Sequence, residues 1–242
     1  MTIGAIIPVK NEYGNIESMV ISANKIKQLN QVVFIDGNSS DNTFDFLMEC
    51  IQKYGNREMS VVMQNPPYNK FEAIKQARKK LNTEHILIWD GDNTIPSNDV
   101  EKIIYTYLSK SRTSNVFVMA NRLTKYREKK SFRFINLAGN YIFSVIMRPI
   151  LGSWAKDVLS GVKIFPYFLF NNENCDKILT SDHFGDIALL SFARKRNLIF
   201  ISIPCNYKIR SYGSSSIARW SGGLILLKSI LHLYSHRCFK SS

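Results

Sequence analysis

Apolar residues recur along this chain in two alternating textures. Short runs rich in Val, Ile and Phe, at Ile3–Val9, Gln31–Ile35, Ser60–Gln64, His85–Trp89, Val116–Ala120 and Ile199–Ile203, predict strands. Between the first four, Ile16–Lys27, Thr43–Tyr54 and Phe71–Leu81 carry apolar residues at helical spacing. Ser97 stands ahead of a further periodic run to about Ser109 and reads as an N-cap. Strands alternating with helices predict a three-layer α/β domain on a mostly parallel sheet. Such sheets take ligands outside the carboxyl ends of their strands. No internal repeat or low-complexity linker interrupts the pattern, and the charged stretch Lys125–Lys130 reads as an exposed loop.

Past that loop the texture changes. Between Arg133 and Arg148, the residues Arg133, Asn136, Asn140, Ser144 and Arg148 fall near one helical stripe in an otherwise apolar stretch. Two readings fit: a core helix with a narrow solvent face, or a helix lying in a membrane interface. The theme returns near the C-terminus. Ile217, Trp220, Leu224, Leu227 and Leu231 follow helical spacing, with Arg219, Lys228, His232, His236 and Arg237 among them. The expected organisation is one domain over 1–216, containing an interface helix at about 132–150, followed by a membrane-associated amphipathic helix over 217–242.

Composition narrows the partners. A chain of 242 residues, 45% of them hydrophobic, can bury the core of one large domain or two small ones. Its net charge of +13 points to an anionic partner: a nucleic acid, a phosphorylated small molecule or an acidic membrane. Four cysteines, far apart and without a C-x-x-C, fit neither a disulfide scaffold nor a zinc ribbon and suit a reducing compartment. Met1-Thr2-Ile3-Gly4 runs directly into a strand, so no secretory signal is expected. No 18-residue apolar run predicts a transmembrane span.

The chemistry gathers at strand ends. His85–Trp89 leads straight into Asp90-Gly91-Asp92, placing two carboxylates one residue apart beside the core. Like charges that close repel, and each loses hydration there. Something should compensate them. The first strand runs into Asn11 and Glu12, and the second into Asp36. If these strands are parallel neighbours, Glu12, Asp36, Asp90 and Asp92 converge on one edge of the sheet. Each alone could be a turn or cap residue, and Asn38-Ser39-Ser40-Asp41 is good turn material ahead of Thr43. Together they suggest a hard divalent cation bridging carboxylate and diphosphate. Acidic strand ends repel phosphate unless a metal intervenes, and no nucleic-acid recognition signature is present.

The segments "IIPVKNE", "IDGNSSDNT", "NKFEAIKQA", "LIWDGDNTIPSNDVEKI" and "DVLSGVKIF" occur in the order and at about the spacing of glycosyltransferase family 2, which the chain resembles from Ile3 to about Ser216. The resemblance is greatest to its polyprenyl-phosphate branch, the dolichol-phosphate mannose or glucose synthases. It implies a GT-A (Rossmann-like) fold: a mixed, mostly parallel sheet sandwiched by helices, with amphipathic helices after the core. It implies a donor site formed by Pro8, Asn11, Glu12, Asp36, Asp41, Lys70, Asp90 and Gly91. Asp36 would read the nucleobase, and Asp90 and Asp92 would be the D-x-D pair that holds Mg²⁺ or Mn²⁺. Lys70 falls in the family's "GKG" position, where Asn69 and Phe71 replace both glycines. Asn121-Arg122 resembles the "SR" after the fifth strand, and Asp157, Ser160, Gly161 and Lys163 resemble D-x-x-S-G-x-R near the acceptor, with Lys for Arg. Asp186, Tyr207 and Arg210 match a later region near the acceptor phosphate.

The implied reaction is inverting transfer from a UDP- or GDP-sugar, with Asp157, Asp92 and Arg122 as catalytic residues. Asp157 would serve as general base toward a hydroxyl acceptor. Ser160, Lys163, Asp186, Tyr207 and Arg210 would hold the acceptor or its phosphate. The favoured acceptor is a polyprenyl phosphate, at the cytoplasmic face of a membrane contacted directly or through a membrane partner protein, in cell-envelope glycan assembly. A hydroxyl acceptor in polysaccharide or lipid-linked glycan assembly is the alternative. A non-catalytic basic protein binding membrane or nucleic acid is the alternative of another class.

Overall fold

A computed structural model describes residues 1–55, 58–113, 115–124, 134–151, 156–170 and 185–213. The strand-like runs pair into one sheet: β1 (Ile3–Val9), β2 (Gln31–Asp36), β3 (Glu58–Met63), β4 (His85–Trp89), β5 (Val116–Asn121), β6 (Val162–Pro166) and β7 (Ile199–Pro204). Their order across the sheet is β3-β2-β1-β4-β6-β5-β7. β6 runs antiparallel to both β4 and β5, and every other pairing is parallel. The helices are α1 (Tyr13–Lys25), α2 (Thr43–Tyr54), α3 (Lys70–Arg78), α4 (Ser97–Ser111), α5 (Phe134–Leu151) and α6 (Asp186–Lys195).

Alternation along the strands splits the core in two. Ile7, Phe34, Leu87 and Trp89 pack with Met19 and Val20 of α1, Leu47 of α2 and Ile103 and Ile104 of α4. Ile6, Ile35, Ile86 and Ile88 point the other way, onto Phe71 and Ile74 of α3, Met147 and Leu151 of α5, and Ile187 and Leu190 of α6. Both faces of the sheet are covered, which is why its strands read as nearly unbroken apolar runs.

The expected α/β architecture and its mostly parallel sheet are present, with three local differences. β6 and α6 were not anticipated from the apolar pattern. Lys163 is the second residue of β6 and is buried there by its pairing with Asp186 at the start of α6, so the run does not look like a strand. Ser97 is the first helical residue of α4, and Pro96 occupies the N-cap. Within the polar stripe of α5, Asn140 and Ser144 face inward, while Arg148 is exposed. Asn140 and Ser144 are 4% and 2% exposed, while Tyr141, Ile142 and Val145 are 57%, 54% and 43% exposed. The inversion has a cause: Asn140 donates to the Asp157 carboxylate, and the Ser144 hydroxyl donates to the carbonyls of Asn140 and Lys156. Among the described residues no helix is long and apolar enough to cross a membrane. The Lys125–Lys130 loop, Arg133 and the 217–242 helix lie outside the described residues.

Candidate active site

β1 pairs with β2 on one side and β4 on the other, both parallel, so their carboxyl ends lie side by side. Glu12 follows β1, Asp36 ends β2, and Asp90 and Asp92 follow β4. Gly91 between the two acids is required by packing. A Cβ there would come within 2.5 Å of Val9 Cγ1 and 2.9 Å of the Pro8 carbonyl. With no side chain, the turn lies flat against β1, and the Gly91 N–H donates to Pro8.

Glu12, Asp90 and Asp92 each face a cation. Lys70, at the start of α3, places Nζ 2.6 Å from Asp90 Oδ1. Burial alone would lower the pKa of Lys70, but Asp90 and Asp186 outweigh it and hold the ammonium protonated. Burial likewise pushes Asp90 up, and Lys70 more than reverses that. Arg210 Nη2 lies 2.7 Å from Glu12 Oε1 and 3.1 Å from Asp92 Oδ2, joining the β1 and β4 ends. Glu12 is pushed up to about 7, mainly by burial, with Asp92 and Asp90 adding to the rise and Arg210 and Asn15 opposing it. The other oxygen of Asp92 accepts from the Thr94 N–H and hydroxyl.

A second group of charges lies where β5 ends and β6 begins. The Asp157 carboxylate is fully enclosed and forms an ion pair with Arg122 at 2.8 Å. Burial would raise the pKa of Asp157, yet Arg122 holds it below the usual carboxylate range. The guanidinium lies over the Tyr207 ring at 5.3 Å. Asp90, Asp92, Thr94, Arg122, Gly161 and Tyr207 border one cleft. Lys163 is 1% exposed and donates to Asp186 Oδ1 at 2.7 Å and to the Ser160 carbonyl. Burial lowers its pKa.

The structure therefore gathers Glu12, Lys70, Asp90, Gly91, Asp92, Arg122, Tyr207 and Arg210 around the carboxyl ends of β1, β4 and β5. Lys163 and Ser160 lie beneath the cleft, because the Lys163 ammonium is spent on Asp186 and on the backbone. Arg210 engages the acids on the β1 and β4 side. Pro8 is the penultimate residue of β1 and contributes its carbonyl to the Gly91 turn. Asn11, Asp36 and Asp41 knit the loop after β2 to the β1–α1 turn. The Asn11 side-chain carbonyl accepts from Ser40 N–H, Asp36 from the Ser39 N–H and hydroxyl, and Asp41 from the Thr43 hydroxyl and the Tyr13 N–H. Among sequence expectations, Asn15, Thr94 and Tyr212 were missed. Thr94 had a signal, since a hydroxyl two residues after Asp commonly closes an Asx-type turn. Tyr212, whose ring packs over Gly14, had none.

The family model for glycosyl transferase family 2 matches residues 5–192. No curated protein matches the chain. Among solved structures, glucosyl-3-phosphoglycerate synthase from Mycobacterium tuberculosis in complex with uridine-diphosphate superposes with a TM-score of 0.66 at 17% identity, over 100% of this chain and 81% of that one. The same enzyme with Mn²⁺, uridine-diphosphate-glucose and phosphoglyceric acid gives 0.65 at 16% identity over the same shares. Mannosyl-3-phosphoglycerate synthase from Rubrobacter xylanophilus gives 0.66 at 14%, over 100% and 76%. At these identities the likeness is one of fold. These neighbours are glucosyl- and mannosyl-3-phosphoglycerate synthases and do not single out the polyprenyl-phosphate branch.

Proposed function

Because the chain belongs to glycosyltransferase family 2 and is a nucleotide-sugar-dependent glycosyltransferase, we propose that it moves a sugar, with inversion, from a UDP- or GDP-sugar to a polyprenyl phosphate at a membrane surface. The observation that carries the donor half is a cleft bordered by Asp90, Asp92 and Arg122, whose two aspartates pair with Lys70 and with Arg210, the latter also held by Glu12. Family membership sets aside the non-catalytic alternative.

The residues suit a divalent cation. Asp90 and Asp92 offer hard oxygen donors, and each is already drawn to a positive group. Two carboxylates leave the remaining ligand positions of such an ion to substrate phosphates and water. Mg²⁺ or Mn²⁺, the latter present in the solved neighbour, would be held by Asp90 and Asp92 and would supply charge stabilisation to the departing diphosphate. Lys70, Arg122 and Arg210 add fixed positive charge around the same oxygens, where it is worth most in a water-poor cleft. The acceptor attacks the anomeric carbon from the face opposite the diphosphate. A phosphate acceptor is ionised at neutral pH, so the step needs no protein base.

Asp36 is proposed to read the nucleobase. Asp36→Ala is expected to raise the KM for the nucleotide sugar about tenfold and to narrow discrimination between UDP- and GDP-sugars, with kcat nearly unchanged. Steady-state kinetics with both donors test it. Wild-type KM and selectivity would remove Asp36 from the base site.

The acceptor reading rests on α5. A helix that turns Tyr141, Ile142 and Val145 outward presents a lipid-compatible face on a protein of net charge +13. We expect peripheral attachment, directly or through a membrane partner, with each Lys or Arg near an anionic surface contributing about 1 kcal/mol. Flotation with phosphatidylserine vesicles should recover the protein, less at high salt, and Ile142→Ser with Val145→Ser should abolish the salt-resistant fraction. Equal flotation of that double variant would remove α5 from the contact. A second reading, a small phosphorylated acceptor, is favoured by the phosphoglycerate synthases that share the fold. A hydroxyl acceptor in glycan assembly is the third. Incubation with UDP- and GDP-sugars and either polyprenyl phosphate, 3-phosphoglycerate or an oligosaccharide, followed by mass spectrometry, separates all three.

A further inference from the structure

The two oxygens of Asp157 receive four hydrogen bonds. The backbone N–H and Nε of Arg122 donate to Oδ2, each at 2.8 Å. Arg122 Nη2 at 2.9 Å and Asn140 Nδ2 at 2.7 Å donate to Oδ1. A carboxylate offers about four lone-pair sites, so none here is directed at a substrate. Asp157 is also 0% exposed, whereas a proton acceptor must come within hydrogen-bond reach of the proton it takes. The group that does border the cleft, beside Asp90 and Asp92, is Arg122.

Arg122 is held along one edge and over one face. Asp157 holds its Nε–Nη2 edge, the Leu159 carbonyl accepts from Nη2 at 2.7 Å, and the Tyr207 ring covers its plane. A free guanidinium explores many rotamers, whereas a fork-on-fork pair with a stacked face has one orientation. Asn140 reinforces the grip at a cost. Among the described residues its buried Oδ1 has no hydrogen-bond partner, a penalty retained on the helix that delivers Nδ2 to Asp157. We propose that Asp157, with Asn140, is a positioning residue that fixes the Arg122 guanidinium against the phosphates of the bound nucleotide sugar and accepts no proton during transfer. The proposal rests on the glycosyltransferase reading and replaces the general-base role expected of Asp157.

A double-mutant cycle tests it. We would measure kcat/KM and Mn²⁺-dependent affinity for UDP and GDP in wild type, Asp157→Asn, Arg122→Met and the double variant, with thermal melts as a control for folding. Asp157→Asn and Arg122→Met should each lower kcat/KM by roughly 100-fold, and the double variant by no more than about threefold beyond Arg122→Met alone. Nucleotide affinity should fall in Asp157→Asn as it does in Arg122→Met. Losses that multiply, with nucleotide affinity untouched in Asp157→Asn, would restore Asp157 as the proton acceptor and overturn the proposal. Should a variant of the buried pair fail to fold, Asn140→Ala decides. It keeps both charges, and nucleotide affinity should drop about tenfold, while unchanged affinity counts against positioning. A wild-type protein that consumes no nucleotide sugar would remove the glycosyltransferase reading itself. An active one with multiplying losses removes only this proposal.

Discussion

Asp92→Asn is expected to lower turnover by about a thousandfold, the cost typical of removing a group that stabilises charge in the transition state. The substitution is nearly isosteric. Its Oδ1 can still accept from the N–H and hydroxyl of Thr94, so the turn after β4 should survive. What disappears is the negative charge that faces Arg210 at 3.1 Å and that would hold the divalent ion. Calorimetry should show nucleoside diphosphate binding that no longer strengthens on adding Mn²⁺. Chelation of the wild-type enzyme should reproduce the loss of activity, with recovery on adding Mg²⁺ or Mn²⁺. A folded Asp92→Asn protein with wild-type turnover would mean that the D-x-D is a structural turn and nothing more.

The second large effect comes from a residue with no side chain. A Cβ on Gly161 would lie 2.0 Å from Asp90 Oδ2 and 2.4 Å from its Cγ. Asp90 has little room to yield. Its Oδ1 is tied to Lys70, and its own N–H donates to the Gly161 carbonyl at 3.1 Å. Gly161→Ala should therefore push the carboxylate aside or pry β6 from β4. Overpacking of this kind costs about 1–3 kcal/mol, or roughly 2–12 °C in Tm for a domain of this size. Displacing a catalytic group by an ångström costs about 100-fold in rate. Melting curves and kcat/KM measured on the same preparation test both halves. A variant with wild-type activity would mean that Asp90 is not needed where it stands.

The parts of this protein that were legible in its sequence share a physical cause. β1 and β4 were bounded correctly because each is an apolar run closed by a polar turn, covered on both faces by helices. Adjacency of β2, β1 and β4 then brought Glu12, Asp90 and Asp92 together without any knowledge of side-chain contacts. What stayed hidden depends on partners far away in the chain. Lys163 disguised β6, because its burial is licensed by Asp186. Asn140 and Ser144 looked like a solvent face until Asp157 and Lys156 supplied reasons to turn inward. Arg210 reaches Glu12 across nearly the whole chain, and no local pattern predicts which acid a distant arginine will choose. Asp157 was recognised as important, yet its four donors, which change its role, come from β5 and α5 and are not written next to it.

The antiparallel strand inserted between β4 and β5 also has a consequence for the chain as it emerges from the ribosome. β6 is made after β4 and β5 but lies between them, so the apolar segment His85–Trp89 has an unpaired edge until Pro166 has been synthesised. At ordinary elongation rates that interval lasts roughly 4–15 s. During it the nascent chain displays an open apolar strand edge, a template for pairing with other chains. The Gly161 carbonyl that receives the Asp90 N–H arrives with the same segment. Nascent chains stalled before β6 would be prone to aggregate and could not yet hold Asp90 in place, so insertion of β6 seals the open edge of β4 and seats Asp90 in one event, before Tyr207 and Arg210 complete the cleft.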